Sequence, residues 1–540
     1  MSTETERDVL IIGSGATGAL SALVLSQAGL DVLCLEQGGW VEKNEFVHNH
    51  TNWSWQRATN WNPDITQRDH PDDYEMQTDS SQPLMWNAVG GSTNAYGAIW
   101  PRYRPSDFRK GDEHGLQPNW PIAYEDIAPF YERVDAILGT SGLTGDPAMP
   151  PRPECPTGPL PFTKPAQKLA EGFDKLGWHW WPAEAGVISE DYDGRPACNN
   201  CGLCNGCPRG SMTLYAESVW PKALAAGTEL RTHARVLKIL TGADGRATGA
   251  RFKDRLTGEI HEVTAKIVIV AANGVGTPRL LLASGIANSS DMVGRNLLHH
   301  TLVSAQIWVD EQVDGQMGYV ASVLGREFAE TDTSRGFVNG FNFNCTTSTP
   351  SAGELATGWM SGTKAPWGAE HHDWMEKRFG HSIGLFAIGD DLPNPENRVY
   401  LDDSVTDEDG IPVIKMHYEP GENDKRMMNY MLDRLQEIGE ACGAFDIALN
   451  DYRDEDGVYR TPAWHMIGTC RMGDDPATSV VNGWHRSWDV PNMFIVDGSV
   501  LATGGVVNPT PTISALALRA AEYIRDNFAD LTTPQRTMAA

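Results

Sequence analysis

Six residues near the start of the chain limit its architecture more than any other feature. Gly13-Ser14-Gly15-Ala16-Thr17-Gly18 follows a short apolar run, residues 8–13 (DVLIIG), that reads as a buried parallel strand. The residues after it read as a helix ending at Gly29, and residues 31–36 (DVLCLE) read as a second strand. In such a βαβ unit the three glycines have separate tasks. Gly13 permits the tight turn, Gly15 lets backbone approach a pyrophosphate, and Gly18 lets helix pack on strand. The helix N-terminus, at Ala16 and Thr17, then points N–H groups at the anion. Glu36 closes the second strand 18 residues beyond Gly18, where a carboxylate meets adenosine ribose hydroxyls. The pattern predicts a bound dinucleotide; the alternative is an ordinary glycine turn.

The same stretch mimics a membrane span, because residues 9–30 carry no charge. Four glycines and the strand-like start argue for a buried βα unit instead. The N-terminus has no basic segment ahead of an apolar one, so the chain reads as cytoplasmic with no direct membrane span; periplasmic export with a signal-bearing partner is the alternative. At 540 residues, two to four domains are expected on a scale of about 150 residues each. The formal charge of −28 repels phosphate backbones, so no nucleic acid is expected as substrate or partner. It suits solubility, a salty habitat or a basic protein partner.

Beyond the opening unit, residues 230–270 hold three strand-like runs separated by turns, a meander. An apolar helix is expected after Thr277-Pro278, an amphipathic helix over 422–443, a strand over 493–499 and a long helix after Pro511. Residues 145–165 are proline-dense and read as a linker. Residues 40–86 carry Trp40, Trp53, Trp55, Trp61 and Trp86, expected as core and a lid, with sugar stacking as the alternative. The order of strands within 301–420 is not legible.

Several segments resemble the glucose–methanol–choline (GMC) oxidoreductase family. Gly90-Gly91-Ser92-Thr93-Asn94-Ala95-Tyr96-Gly97 resembles its flavin loop. Residues 273–285 (NGVGTPRLLLASG) resemble its second signature, and residues 293–300 (VGRNLLHH) its continuation. In the tail, residues 465–473 (HMIGTCRMG), Asp497-Gly498-Ser499 and residues 508–513 (NPTPTI) follow in family order. The resemblance implies an α/β chain, α+β overall. A Rossmann-like FAD-binding domain would span 1–125, 198–300 and 460–540. A substrate-binding domain on a mainly antiparallel sheet would span 126–197 and 301–459. It further implies FAD bound by Gly13, Gly15, Ala16, Thr17, Gly18, Glu36, Gly90, Gly91, Ser92, Asn94, Ala95, Tyr96, Val236, Asp497, Gly498, Asn508, Pro509 and Thr510.

Family members oxidise an alcohol carbon by hydride transfer to FAD, which needs a base for the hydroxyl proton. That histidine maps onto His465, and the family's second active-site residue maps onto Asn508. The histidine that attaches FAD covalently in some relatives is replaced by Ala95, so non-covalent FAD is expected. Tyr96 stands where glucose-oxidase-like members have asparagine, and His299 and His300 read as packing or flavin-domain residues, with catalysis as the lesser alternative.

Cys198, Cys201, Cys204 and Cys207 form C-x2-C-x2-C-x2-C-P. Four thiols this close suit an iron–sulfur cluster; zinc, disulfides or free buried thiols are the rivals. The spacing also resembles catalytic subunits of FAD-dependent sugar dehydrogenases of the glucoside 3-dehydrogenase, glucose, fructose or gluconate type. That implies a 3Fe-4S or 4Fe-4S cluster, a small accessory subunit and a cytochrome acceptor. The expectation is oxidation of a CH–OH group of a sugar, glycoside or polyol, with electrons leaving through the cluster. The alternatives are a pyranose-oxidase-like enzyme using oxygen, and a flavoprotein electron carrier without substrate chemistry.

Overall fold

The computed structural model describes residues 6–43, 76–78, 82–204, 206–346, 352–357, 363–460 and 462–533. Trp53, Trp55 and Trp61 of the tryptophan-rich stretch lie outside them. Trp86 is buried, whereas Trp40 is exposed.

The opening apolar run forms strand Arg7–Ile12, flanked in parallel by Val32–Leu35 and by Ile260–Val270. Glu229–Arg231 extends the sheet beyond Val32–Leu35, and Met493–Ile495 lies on the other side of Ile260–Val270. All four residues of Val32–Leu35 are buried because both faces are covered, the condition that makes a parallel strand uniformly apolar. One face packs through Val9, Ile11, Ile267 and Ile269 against helices Ala16–Gln27 and Thr510–Asp526. The other packs through Leu10, Ile12, Val268 and Val270 against helix Asn273–Ser284 and the meander.

Ile260–Val270 joins two environments. Its first half pairs antiparallel with Ala247–Asp254, and its side chains alternate between buried and open. Its last four residues sit between parallel neighbours and are all buried. The meander is completed by Ala234–Thr241.

Helix Asn273–Ser284 starts earlier than the sequence suggests, and Pro278 lies inside it. Proline has no N–H to give Gly274 O, the acceptor four residues back. Thr469 Oγ1 donates to that carbonyl instead, at 2.7 Å. Asn273, at φ +66°, caps the entry by accepting from Val275 N and Gly276 N.

The second sheet is antiparallel, in the order Ala444–Asn450, Thr301–Val309, Ser382–Gly389, Phe341–Thr346, Val323–Gly325, Trp180–Pro182. Val303, Ala305, Ile307, Phe343 and Leu385 point to a core shared with helices Lys164–Leu176 and Glu422–Ala441. The latter helix buries Met427, Met431, Leu435 and Ile438, one face at helical spacing. By strand alternation Ser304, Gln306, Asn342, Asn344 and Phe386 occupy the opposite face. Among the described residues, no helix is long and apolar enough to cross a membrane.

Candidate active site

The three fingerprint glycines differ physically. A Cβ at Gly13 (φ +101°) would lie 2.4 Å from Ala271 O, and one at Gly18 would lie 2.0 Å from Gly13 O. Gly15 is different: a Cβ there would meet no atom within 4 Å. Two glycines therefore serve close packing, and the middle one keeps an approach to the helix N-terminus clear. Gly15 is the N-cap of Ala16–Gln27 and supplies no side-chain cap, so the first-turn N–H groups of Ala16, Thr17 and Gly18 keep their capacity for an anion.

Glu36 is buried and already accepts from Ser14 N at 2.9 Å, Ser14 Oγ at 2.6 Å and Gly38 N at 3.0 Å. Burial raises its carboxyl pKa, against the pull of those hydrogen bonds. Its backbone carbonyl accepts from Ala234 N at 2.7 Å, which ties it to the strand carrying buried Val236.

The loop carrying Gly90 and Gly91 folds directly onto this turn. Gly90 N donates to Ser14 O at 3.1 Å, and a Cβ on Gly91 would come within 2.9 Å of Gly15 Cα. The loop continues as the 3-10 turn Gly91–Asn94, with Asn94 Nδ2 donating to Val89 O. Ser92 is exposed and Ala95 is half-buried, with no nucleophilic atom on its side chain. Tyr96 OH donates to Thr213 O at 2.5 Å. From the tail, buried Asp497 accepts from Thr277 Oγ1 at 2.5 Å and from Ser499 N at 2.9 Å, ahead of Gly498. Pro509 is the N-cap of helix Thr510–Asp526. The donor chemistry and the open approach at Gly15 fit FAD.

The two candidate chemical residues meet just before that helix. Asn508 Nδ2 lies 3.3 Å from His465 Nε2. The far nitrogen of His465, Nδ1, lies 2.8 Å from His300 Nδ1, with the rings nearly perpendicular at 85°. His300 Nε2 lies 2.9 Å from Gly504 O. Of the readings open for His300, packing alone does not describe it: the ring sits against the candidate base. The two histidines are 165 residues apart in sequence, so no local motif reveals the contact.

Burial governs the charge state here. It pushes His465 well below the usual histidine range, with His300 and His299 adding repulsion. It pushes His300 down to about 4 and His299 to about 3. His465 is therefore neutral at neutral pH and able to take a proton. Asp391 holds the backbone beneath, accepting from His299 N and His300 N at 3.2 Å each and from Tyr418 OH at 2.8 Å.

The antiparallel sheet reaches the same point. Asn344 Nδ2 donates to Asn508 Oδ1 at 3.2 Å, so the polar face bearing Ser304, Gln306, Asn342 and Asn344 looks toward the histidine pair. Phe386, paired across from both Ser304 and Asn344, meets Trp464 edge-on at 6.2 Å. None of these sheet residues carries a sequence motif.

Cys198, Cys201, Cys204 and Cys207 are all free thiols and line one cavity. Burial raises the thiol pKa of Cys204 and Cys198, and the neighbouring thiols add to it. As a donor set they suit a thiolate-bound cluster, yet among the described residues no three potential ligands converge closely enough to hold a metal ion. Cys198, Cys204 and Cys207 pack in one cluster with Ala95, Tyr96 and Tyr319.

Family models described as GMC oxidoreductase match residues 7–302 and residues 393–517. A 2-methyl-1,2-propanediol dehydrogenase from Mycolicibacterium austroafricanum is 45% identical, covering 99% of this chain and 98% of that protein. A fructose dehydrogenase large subunit from Gluconobacter japonicus is 31% identical, covering 98% of this chain and 99% of that protein. A 6'''-hydroxyparomomycin C oxidase from Streptomyces lividus is 31% identical, covering 97% and 92%. Among solved structures, pyridoxine 4-oxidase from Mesorbium loti superposes with a TM-score of 0.63 at 19% identity, over 96% of this chain and 99% of that one, a likeness of fold. With family models matching both ends of the chain and a relative 45% identical over nearly all of it, the protein belongs to the GMC oxidoreductase family of FAD-dependent enzymes acting on CH–OH donors.

Proposed function

We propose that the chain oxidises a CH–OH group of a sugar, glycoside or related polyol, with His465 as the base. The observation that carries this is the neutral His465 with its Nε2 turned toward Asn508, at the N-terminus of helix Thr510–Asp526. When bound, FAD supplies the two-electron acceptor for the substrate's hydride. His465 Nε2 takes the hydroxyl proton as the carbon gives up its hydride, so the alcohol becomes a carbonyl compound. Asn508 Nδ2, 3.3 Å from Nε2, carries a second N–H that can donate to a substrate oxygen beside the base. The polar face of the antiparallel sheet suits a substrate with several hydroxyls, and relatives named for a diol, a hexose and an aminoglycoside support that class.

For the onward path, Cys198, Cys201, Cys204 and Cys207 are the residues that would hold an iron–sulfur cluster. When bound, such a cluster supplies a one-electron site. Support comes from the packing of this cavity against Ala95 and Tyr96 of the flavin loop, and from relatives named as the large subunit of fructose dehydrogenase and the flavoprotein of gluconate 2-dehydrogenase. The name of the large subunit also supports an accessory subunit, and a cytochrome is the acceptor we propose for it.

The test is a visible spectrum of purified protein under anaerobic addition of 2-methyl-1,2-propanediol or D-fructose, with iron assay and electron paramagnetic resonance alongside. Bleaching of the flavin band with iron present is expected. Bleaching without iron, followed by vigorous peroxide formation in air, overturns the relay in favour of an oxidase. A flavin that no alcohol or sugar reduces overturns the dehydrogenase reading.

A further inference from the structure

The hydrogen bonds around His465 have a direction, and one atom fixes it. Gly504 O is a carbonyl and only accepts, and Tyr103 OH also donates to it. His300 Nε2 must therefore carry the proton of that contact. A neutral imidazole has one N–H, so His300 Nδ1 is an acceptor. The 2.8 Å contact between the two Nδ1 atoms then requires the proton on His465 Nδ1. His465 Nε2 is left with its lone pair, toward Asn508 Nδ2 at 3.3 Å. With its NH2 turned that way, Asn508 presents Oδ1 to Asn344 Nδ2 at 3.2 Å. From Asn344 to Gly504 every donor points the same way.

We infer that His300 and Asn344 are positioning residues that hold the proton of His465 on Nδ1 and leave Nε2 as the base, through this one-directional chain from the substrate sheet to Gly504. The inference rests on the reading of His465 given above and adds to it which nitrogen acts and what holds it so. In the other tautomer the Nε2–H would face the substrate and no proton could be taken. When the hydroxyl proton arrives at Nε2 it displaces the long Asn508 N–H contact, which turns to the substrate oxygen, and the imidazolium keeps its Nδ1–H on His300 Nδ1, now a stronger, charge-assisted bond. His300 cannot pass a proton onward, because its other nitrogen faces a carbonyl. The proton therefore stays on His465 until product or solvent removes it. Asn344 acts at the far end: without its donor, the Asn508 amide is free to turn its oxygen toward His465.

The test is nitrogen-15 magnetic resonance of FAD-loaded enzyme labelled at histidine, with the His465 signals assigned by their loss in His465→Gln. Wild type is expected to show His465 protonated on Nδ1 and bare on Nε2. His300→Leu should move the population toward Nε2–H. It should also slow flavin reduction at saturating 2-methyl-1,2-propanediol by roughly 10- to 100-fold, within the range of a general-base contribution. The substrate concentration at half-maximal rate should change little. His300→Asn, whose Oδ1 can occupy the place of Nδ1, should restore both the tautomer and most of the rate. Asn344→Leu should give a loss of about tenfold or less with the fold intact, less than a full general-base contribution. A wild-type His465 protonated on Nε2, or an unchanged tautomer in His300→Leu, overturns the inference. The spectrum reads the tautomer in resting enzyme, so it stands apart from the base reading, which fails if His465→Ala still reduces flavin rapidly. If His300→Leu does not fold, the wild-type spectrum and His300→Asn decide.

Discussion

A histidine serves as base only while it is neutral, and its surroundings decide how far into acid that holds. For His465 the surroundings are desolvation and two neighbouring histidines, which all act against the charged form. The rate of flavin reduction should therefore stay level as pH falls through the ordinary histidine range near 6.5, and drop only in stronger acid. Stopped-flow reduction between neutral and acid pH checks this; a rate that halves near pH ~6.5 would mean an unperturbed base. His465→Ala should keep FAD bound yet lose roughly 10² to 10⁴ in reduction rate, and Asn508→Ala should lose less. Stability has its own sign. His299 and His300, at about 3 and about 4 in the folded chain, take up protons near 6.5 once unfolded. Below pH ~6.5 the unfolded state binds more protons, so stability falls until pH passes the folded values. Denaturant midpoints measured from neutral into acid should follow that course. The sequence made His465 and Asn508 legible because each lies in a motif with fixed neighbours. For His300 the sequence left packing and catalysis both open, because its contacts are to a ring 165 residues away and to one backbone carbonyl.

At the scale of elements, what could be read was what repeats locally. The βαβ unit has its strand, glycines and helix in one run, and the meander and helix Glu422–Ala441 show their periods directly. The antiparallel sheet has no such continuity: its strands come from 180–182 and from five segments between 301 and 450. Pairings such as Asn344 with Phe386 leave no trace in either strand alone. The glycine turn also separates folding from binding. Gly18→Ala places a Cβ 2.0 Å from Gly13 O, a backbone atom that cannot yield cheaply, so the fold itself should suffer. Its cost should reach at least the roughly 1–3 kcal/mol of an overpacked core. Gly15→Val meets nothing within 4 Å at its Cβ and sits at φ −62°, an ordinary conformation. That variant should fold and unfold like wild-type apoprotein, yet purify with much less flavin. Thermal unfolding of the apo forms and flavin-to-protein ratios distinguish the two; equal flavin content in Gly15→Val would place the pyrophosphate elsewhere.

For the whole molecule the question is how electrons leave. The proposed base and its asparagine adjoin the antiparallel sheet through Asn344, while the four-cysteine cavity, which Tyr319 also lines, packs in a cluster with Ala95 and Tyr96. If the proposed base and the proposed cluster sit at these two places, substrate oxidation and electron exit should respond separately. Cys201→Ser should leave flavin reduction by substrate near wild type, since no cysteine of the segment contacts His465 or Asn508 in the described hydrogen bonds. Transfer to a macromolecular acceptor should collapse. The net charge of −28 adds a second, independent handle. An acidic protein draws a basic c-type cytochrome by long-range attraction, and that attraction is screened to about 8 Å at physiological ionic strength. Cytochrome reduction by wild type should therefore slow as salt rises, while reduction of a small uncharged quinone stays constant. The two measurements constrain each other. Salt-sensitive cytochrome reduction that survives in Cys201→Ser would mean that electrons reach the partner without the cysteines, and the cavity would then be a structural feature of the flavin loop's support.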